Sequence, residues 1–317
     1  MDAPSERRLL VALLAVQVFF GGLGVAAKLV FPHLTPLGLA LARLLAGMLV
    51  LVAIATAFAR RRDRGRVGVE PERVRRGLPP WRDLGAFALF ALLGVTLNTG
   101  LYLEGLKRTT ATNAILLIAT IPAFTLLLSV LLRRERADKV QVAGLALSFA
   151  GVAALVFVKG GGFGFGTIRG DLMVVANSLS YSLYLVLSKP YLARYDSTTL
   201  IAWVFAFGAA QMALVATPQL LATDWRALDA PAWAGFAYVL LFATVATYGL
   251  NAWVLRHTSA SHVANFVYLQ PAVGVLAAWL ILDEPLTWPI LASGAVILAG
   301  VMLATRGFRS RRAGKPF

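Results

Sequence analysis

Ten apolar stretches, each 18 to 27 residues long, decide which solvent this chain folds in. They cover residues 9–31, 36–59, 83–106, 112–132, 141–158, 170–192, 198–221, 231–257, 261–282 and 288–308. A bilayer core needs roughly 20 apolar residues at a rise of about 1.5 Å each, so every stretch is long enough to cross one. Lipid offers no partner to an exposed N–H or C=O, and barrel strands would alternate apolar with polar residues, which none of these does. The expected fold is therefore an all-α integral membrane protein with ten transmembrane helices. The composition agrees, with 59% hydrophobic and 14% charged residues, against about 25% charged in soluble domains. The first stretch follows Arg7 and Arg8 as a signal peptide would. It is longer than most signal peptides and lacks an A-x-A cleavage site, so it reads as the first helix.

The formal charge of +15 is compatible with nucleic acid, an acidic membrane surface or cytoplasmic loops. Position discriminates between them. With the N-terminus placed in the cytoplasm, 23 Lys and Arg fall in inside segments and five in outside segments, while Lys28 and Arg43 lie within spans. That bias follows the positive-inside rule and predicts both termini inside. The basic residues sit in successive loops rather than on one face with stacking aromatics, so no nucleic-acid partner is expected.

The chain repeats itself. A shift of 149 positions lays residues 98–155 on 247–304 without a gap, matching Gly100 with Gly249, Leu101 with Leu250, Leu106 with Leu255, Thr109 with Thr258, Pro122 with Pro271, Glu135 with Glu284 and Gly151 with Gly300. Three parts follow: a first repeat over 1–158, a glycine-rich linker over 159–169 and a second repeat over 170–317. Each repeat holds five spans. An odd number makes the second copy enter the membrane from the opposite side, so two inverted five-helix repeats are predicted. The loops agree, since RRERADK after the fourth span is basic and LDEPLT after the ninth carries no Lys or Arg. Such symmetry suits a carrier that opens alternately to either side, although some channels share it.

The stretch LKRTTATNAILLIATIPAFTLLLSVLLRRERADKVQVAGLALSFAGVAAL at 106–155 and its partner LRHTSASHVANFVYLQPAVGVLAAWLILDEPLTWPILASGAVILAGVML at 255–303 carry the same pattern. Small hydroxyl residues open a helix, a proline interrupts it, a glutamate closes it and a glycine-bearing span follows. In this the chain resembles the EamA-type branch of the drug/metabolite transporter superfamily over nearly its whole length. Pro289 departs from that pattern, because its counterpart is Val140, but proline is harmless at a helix start. The resemblance implies a multi-pass transporter of the bacterial inner membrane, moving a small-molecule solute through a central cavity between the two units.

Polar side chains within spans point to a bundle interior or a wet cavity more often than to lipid. Asn177, Tyr181, Tyr184 and Ser188 recur on one face of the sixth span; Thr244, Thr247 or Tyr248, and Asn251 form a face on the eighth; Asn98 and Tyr102 stand on the third. Gln17, Asn113, Asn265, Tyr268 and Gln270 on spans one, four and nine are further candidates, which the resemblance also places at the cavity. The competing reading for each is interhelical hydrogen bonding. Phenol, amide and hydroxyl groups without a dominant charge suit a neutral, zwitterionic or aromatic solute such as an amino acid. Export is the expected direction.

Pro122 and Pro271 lack the N–H that would reach Ile118 and Val267, so each frees a carbonyl, either as a hinge or as a passive kink satisfied by a nearby Ser or Thr. Arg43, about seven residues into its span, and Lys28 are expected to snorkel outward; the alternative is a charge that holds a substrate carboxylate or pairs with Glu104. Glu104 is also the candidate for proton coupling. Glu135 and Glu284 are expected to cap the helix that follows each of them or to make an inter-loop contact, rather than to carry chemistry. Gly144 and Gly151, like Ser293 and Gly300, make small-residue stripes for close packing within the fold or across a homodimer.

Enzyme signatures are missing. Zero cysteines remove thiolate chemistry, and His257 and His262 are five apart with no acid beside them, so neither metal nor cofactor is expected. GGGFGFG at 160–166 follows no strand and reads as linker rather than nucleotide loop. A multidrug exporter of hydrophobic cations would need a carboxylate deep in the cavity, a lipid-processing enzyme would need acids or histidines clustered at one interface, and a passive channel would show no solute counterflow.

Overall fold

The computed structural model describes residues 6–63, 80–157, 167–192, 194–195, 197–247, 249–250, 253–254, 266 and 269–312. No β-strand is formed among them. Thirteen α-helical stretches occur: α1 (Glu6–Gly21), α2 (Leu23–Val30), α3 (Pro36–Asp63), α4 (Trp81–Ala91), α5 (Leu97–Arg108), α6 (Ala111–Ile118), α7 (Ile121–Leu131), α8 (Lys139–Phe157), α9 (Ile168–Leu192), α10 (Ser197–Leu221), α11 (Ala230–Ala237), α12 (Leu269–Leu282) and α13 (Trp288–Arg312). Among the described residues seven helical segments are long and apolar enough to cross a membrane, and three shorter apolar ones, Pro36–Leu49, Ala230–Ala246 and Leu269–Leu282, fall on predicted spans two, eight and nine. Large apolar side chains such as Leu49, Leu214, Leu221 and Leu280 stand on the outside, as lipid-facing residues must. The chain is a multi-pass membrane protein.

Several spans expected as single helices are interrupted. Span one is interrupted at Gly22, where neighbours approach closely: a Cβ on Gly21 would lie 2.8 Å from Val273 Cγ1, and one on Gly22 would lie 2.9 Å from Tyr238 Cζ. Span four breaks between α6 and α7, with Pro122 in the first turn of the new helix, where a missing N–H costs least. Spans three and eight each carry a π-helical segment, Leu92–Thr96 between α4 and α5 and Tyr238–Ala246 after α11. The 149-residue shift carries the first onto 241–245, inside the second.

Successive spans run antiparallel, giving the bundle a near end, where α1 begins, and a far end, where α2 finishes. The tightest pairing joins α8 to α13. A Cβ on Gly144 would meet Gly300 O at 2.8 Å, one on Gly151 would meet Ile297 N at 2.8 Å, and one on Gly300 would meet Ser148 Cα at 2.6 Å. The small-residue stripes are therefore consumed inside one chain, so a dimer seam along them is excluded by occupancy. The other main pairings are α3 with α10, α5 with α9, α2 with α11, α7 with α9 and α1 with α12.

Spans four and nine end alike. Arg133 and Asp283 take left-handed φ of 55° and 53°. The following glutamate N–H then turns back six residues, Glu135 to Ser129 O at 3.1 Å and Glu284 to Ala278 O at 3.3 Å. In span four the turn is a Schellman closure, with Arg134 N–H on Ser129 O at 2.8 Å and Arg133 N–H on Val130 O at 2.9 Å, formed without glycine.

Candidate functional site

The two π-helical segments leave carbonyls out of the usual ladder, and polar side chains gather to satisfy them. In the span-eight segment, Thr244 Oγ1 donates to Val239 O and Thr247 Oγ1 to Phe242 O, both at 2.8 Å. The Nε of Arg43 on α3 donates to Thr244 Oγ1 at 3.2 Å. In the span-three segment, Ser180 on α9 donates to Leu93 O at 2.9 Å. Gln211 on α10 accepts from the Thr96 hydroxyl at 2.7 Å and donates to Ala88 O at 3.0 Å. Each π-helical segment is thus met by one long polar side chain, Arg43 from α3 or Gln211 from α10.

This geometry corrects one expectation. Arg43 is half-buried and its Nε rests on a fully buried threonine, so it turns into the bundle instead of snorkelling. A hydroxyl already committed to Val239 O offers its lone pairs to the guanidinium, which makes the inward rotamer favourable. Glu104 does not reach Arg43 or Lys28, because Arg108, one turn along the same helix, takes its carboxylate.

The amide and phenol faces follow the same interior. Asn177, buried on α9, donates its amide to the backbone carbonyl of Asn98, which joins spans six and three. Tyr102 is buried, with its hydroxyl 3.1 Å from where a Cβ of Gly24 would stand, so glycine on α2 makes room for the phenol. Gln270 donates to Gln17 Oε1 at 2.8 Å and ties spans nine and one. Tyr181 and Tyr184 are 5.7 Å apart between ring centroids; Tyr184 also stands over Gly94 in the π-helical segment and meets Phe90 edge-on. Ser188 closes locally on Leu185 O. Tyr248, Asn251, Asn265 and Tyr268, together with His257 and His262, lie outside the described residues. Pro271 is buried in α12, while the residues that would show a bend before it are also outside them.

Around the break at Pro122 the neighbouring carbonyls of Leu117 and Ile121 gather hydroxyl donors. Ser178 donates to Leu117 O at 3.3 Å and Ser182 to Ile121 O at 2.9 Å, both from α9, while Thr120 and Thr125 donate to the same two carbonyls from within span four. Two serines one turn apart on span six thus hold both edges of the break.

Charged groups close the ends of the bundle. At the far end Asp171, fully buried, accepts from the Thr109 hydroxyl, from Asn113 Nδ2 at 3.2 Å and from Thr167 at 3.3 Å. Lys28 Nζ donates to Thr109 O, again turned inward rather than snorkelling. Glu284 accepts from the N–H groups of Ala111 and Thr112 at 2.7 and 2.9 Å. Glu284 therefore caps α6 in a contact between two loops rather than capping the helix that follows it. His33 and Asp229 stand 3.6 Å apart at the same end. At the near end Asp83 accepts from the Tyr195 hydroxyl and from Arg194 at 2.9 Å, and Glu135 pairs with Lys189 at 3.0 Å. Gln211 and Asp171 are not among the residues that the sequence singles out; a lone amide amid the apolar run of span seven was the available signal for the first. Apart from these groups, an apolar groove of about 460 Å³ opens between α5 and α9, lined by Leu101, Ile168, Leu172, Met173 and Ala176 with Arg169 at its edge. It contains none of the predicted solute-binding residues.

Known proteins agree with this architecture. The chain is similar to an uncharacterized transporter of Archaeoglobus fulgidus, 32% identical over 220 residues, covering 69% of this chain and 75% of the relative. It is also similar to a protein of Streptantibioticus cattleyicolor named as a probable terminal-alkyne amino-acid exporter, 32% identical over 301 residues and covering 94% and 90% of the two chains. A solved crystal structure shares the fold, with a TM-score of 0.58, 21% identity and 98% of each chain covered. These named relatives are transporters, not enzymes. The model of the EamA-like transporter family matches residues 7–157 and again 168–306, and the chain belongs to that family.

Proposed function

We propose that this transporter exports amino acids or related neutral, zwitterionic or aromatic solutes across the bacterial inner membrane. In this reading two inverted five-helix units, 1–158 and 170–317, exchange conformations around a central cavity, and both termini lie in the cytoplasm. The observation that carries it is the pairing of the two π-helical segments, each at the same register of its repeat and each met by a polar side chain from a second span. Packing supports the same symmetry: α5 with α9 corresponds in span order to α11 with α2, and α7 with α9 to α12 with α1. The end contacts follow it as well, because Asp83 with Arg194 joins spans three and six at the near end, and Asp229 with His33 joins spans eight and one at the far end.

Asn98, Tyr102, Asn177, Tyr181, Tyr184, Tyr248, Asn251, Tyr268, Gln270 and Gln17 are the proposed solute-binding set, with Pro122 and Pro271 as hinges. The amino-acid class rests on those amides and phenols and on the name of the Streptantibioticus relative. A hydrophobic-cation exporter would place a carboxylate in mid-span, whereas Asp83, Asp171 and Glu284, the buried acids among the described residues, all stand at span ends. The test is counterflow of labelled amino acids in proteoliposomes, with and without a proton gradient. Saturable exchange is expected, with Asn177→Ala and Tyr102→Ala lowering it about tenfold or more. Wild-type rates in both variants would remove these residues from the site, and flux without counterflow would make the protein a channel.

A further inference from the structure

From the placement of Arg43 we infer the substrate class: it is the anchor for the carboxylate of the transported solute. This rests on the export reading above and deepens it. A guanidinium is the side chain best suited to hold a carboxylate through two parallel hydrogen bonds. It lies well inside α3, with its Nε on Thr244 Oγ1 at 3.2 Å, and Thr244 is fully buried. Among the described residues no carboxylate comes within ion-pair distance of it. A charge within a span without a counter-ion is strongly unfavourable, and its persistence marks a place where the counter-ion arrives with the ligand. Thr244 holds one edge of the guanidinium and leaves the terminal nitrogens to form the planar fork that matches a carboxylate.

The charge balance selects a monoanionic group. Lys28, the other cation within a span, is engaged by Thr109 O at the far end and stands with Glu284 near it. A dianionic phosphate at Arg43 would therefore keep one charge uncompensated, whereas a carboxylate neutralises the site. On α10 the long polar side chain near the other π-helical segment is the neutral Gln211, bound at both ends of its amide. One π-helical segment is thus met by a charged side chain and the other by a neutral amide, which suits a solute with a carboxylate at one end and a less polar remainder.

The experiment compares uptake of leucine, leucinamide, 2-hydroxyisocaproate and glycerol 3-phosphate into proteoliposomes carrying the wild type, Arg43→Gln or Arg43→Lys. The wild type is expected to favour leucine over leucinamide at least tenfold, Arg43→Gln to bring that ratio near one, and Arg43→Lys to fall between. Equal wild-type uptake of acid and amide overturns the inference and leaves amino-acid export standing, as does an unchanged ratio in a monodisperse Arg43→Gln. Preference for glycerol 3-phosphate overturns it too. Arg43-dependent uptake of the hydroxy acid without any of leucine sustains the inference and removes the amino-acid reading. No uptake of either carboxylate ends both. If Arg43→Gln does not remain monodisperse, the wild-type ratio and the Arg43→Lys ratio decide.

Discussion

Single side chains in this protein act over long sequence distances, and Glu284 shows how. Its carboxylate takes two N–H groups at the start of α6, from residues 173 and 172 positions away. A buried carboxylate on orphan helix donators combines capping with the favourable end of the helix dipole. Glu284→Gln keeps the shape and loses the charge, so it should cost about 1–2 kcal/mol, read as a lower thermal midpoint in detergent. An unmoved midpoint would show that the cap adds nothing. Gly85 gives the opposite case, because a Cβ there meets nothing within 4 Å and it lies inside α4. Gly85→Ala should stabilise by about 0.5–1 kcal/mol through helix propensity alone.

At the scale of elements, α8 and α13 form the most extensive helix pairing among the described residues. Backbones approach so closely at Gly144, Gly151 and Gly300 that no side chain fits between them. Gly300→Leu must separate the two helices and is expected to abolish monodisperse protein, whereas Met302→Leu, exposed on the same helix, should be silent. Size-exclusion profiles of the two variants check this. The π-helical segments are the opposite kind of element. Their carbonyls depend on Ser180, Gln211, Thr244 and Thr247, a side-chain scaffold that can be rearranged more readily than a helical ladder. Gln211→Leu removes both of its bonds at once, and a several-fold fall in transport with little change in thermal midpoint is the expected outcome. Equal loss of both would make Gln211 a structural residue only.

Across the whole molecule the proposed inversion makes a prediction about sidedness. The natural chain has no cysteine, so Arg134→Cys and Asp283→Cys each introduce a single label site. An impermeant thiol reagent should reach Asp283→Cys from outside and Arg134→Cys only from inside. Labelling of both from one side would end the two-unit arrangement. The far-end cluster of Lys28, Thr109, Asn113, Asp171 and Glu284 also joins spans one, four, six and nine, and in the proposed orientation an outward opening must part them. Thr109→Cys combined with Asp171→Cys should arrest counterflow when oxidised and recover it on reduction.

The sequence by itself determined the solvent, the helical class and the repeat, because lipid demands long apolar runs and a duplicated bundle keeps identical residues at one spacing. Tyr102, Asn177 and Gln17 were legible as interior residues for the same reason: an amide or phenol in a span seeks protein. Only the tertiary structure decided which groups meet. Arg43 and Thr244 are 201 positions apart, and nothing in either neighbourhood names the other. The π-helical segments and the break at Gly22 were equally invisible, since hydropathy reads them as unbroken span. Lipid and protein interior are alike apolar, so an apolar run records that a helix is in the membrane but not which face it gives its neighbours. That choice is made by close packing and by unsatisfied carbonyls, and both exist only once the helices have come together.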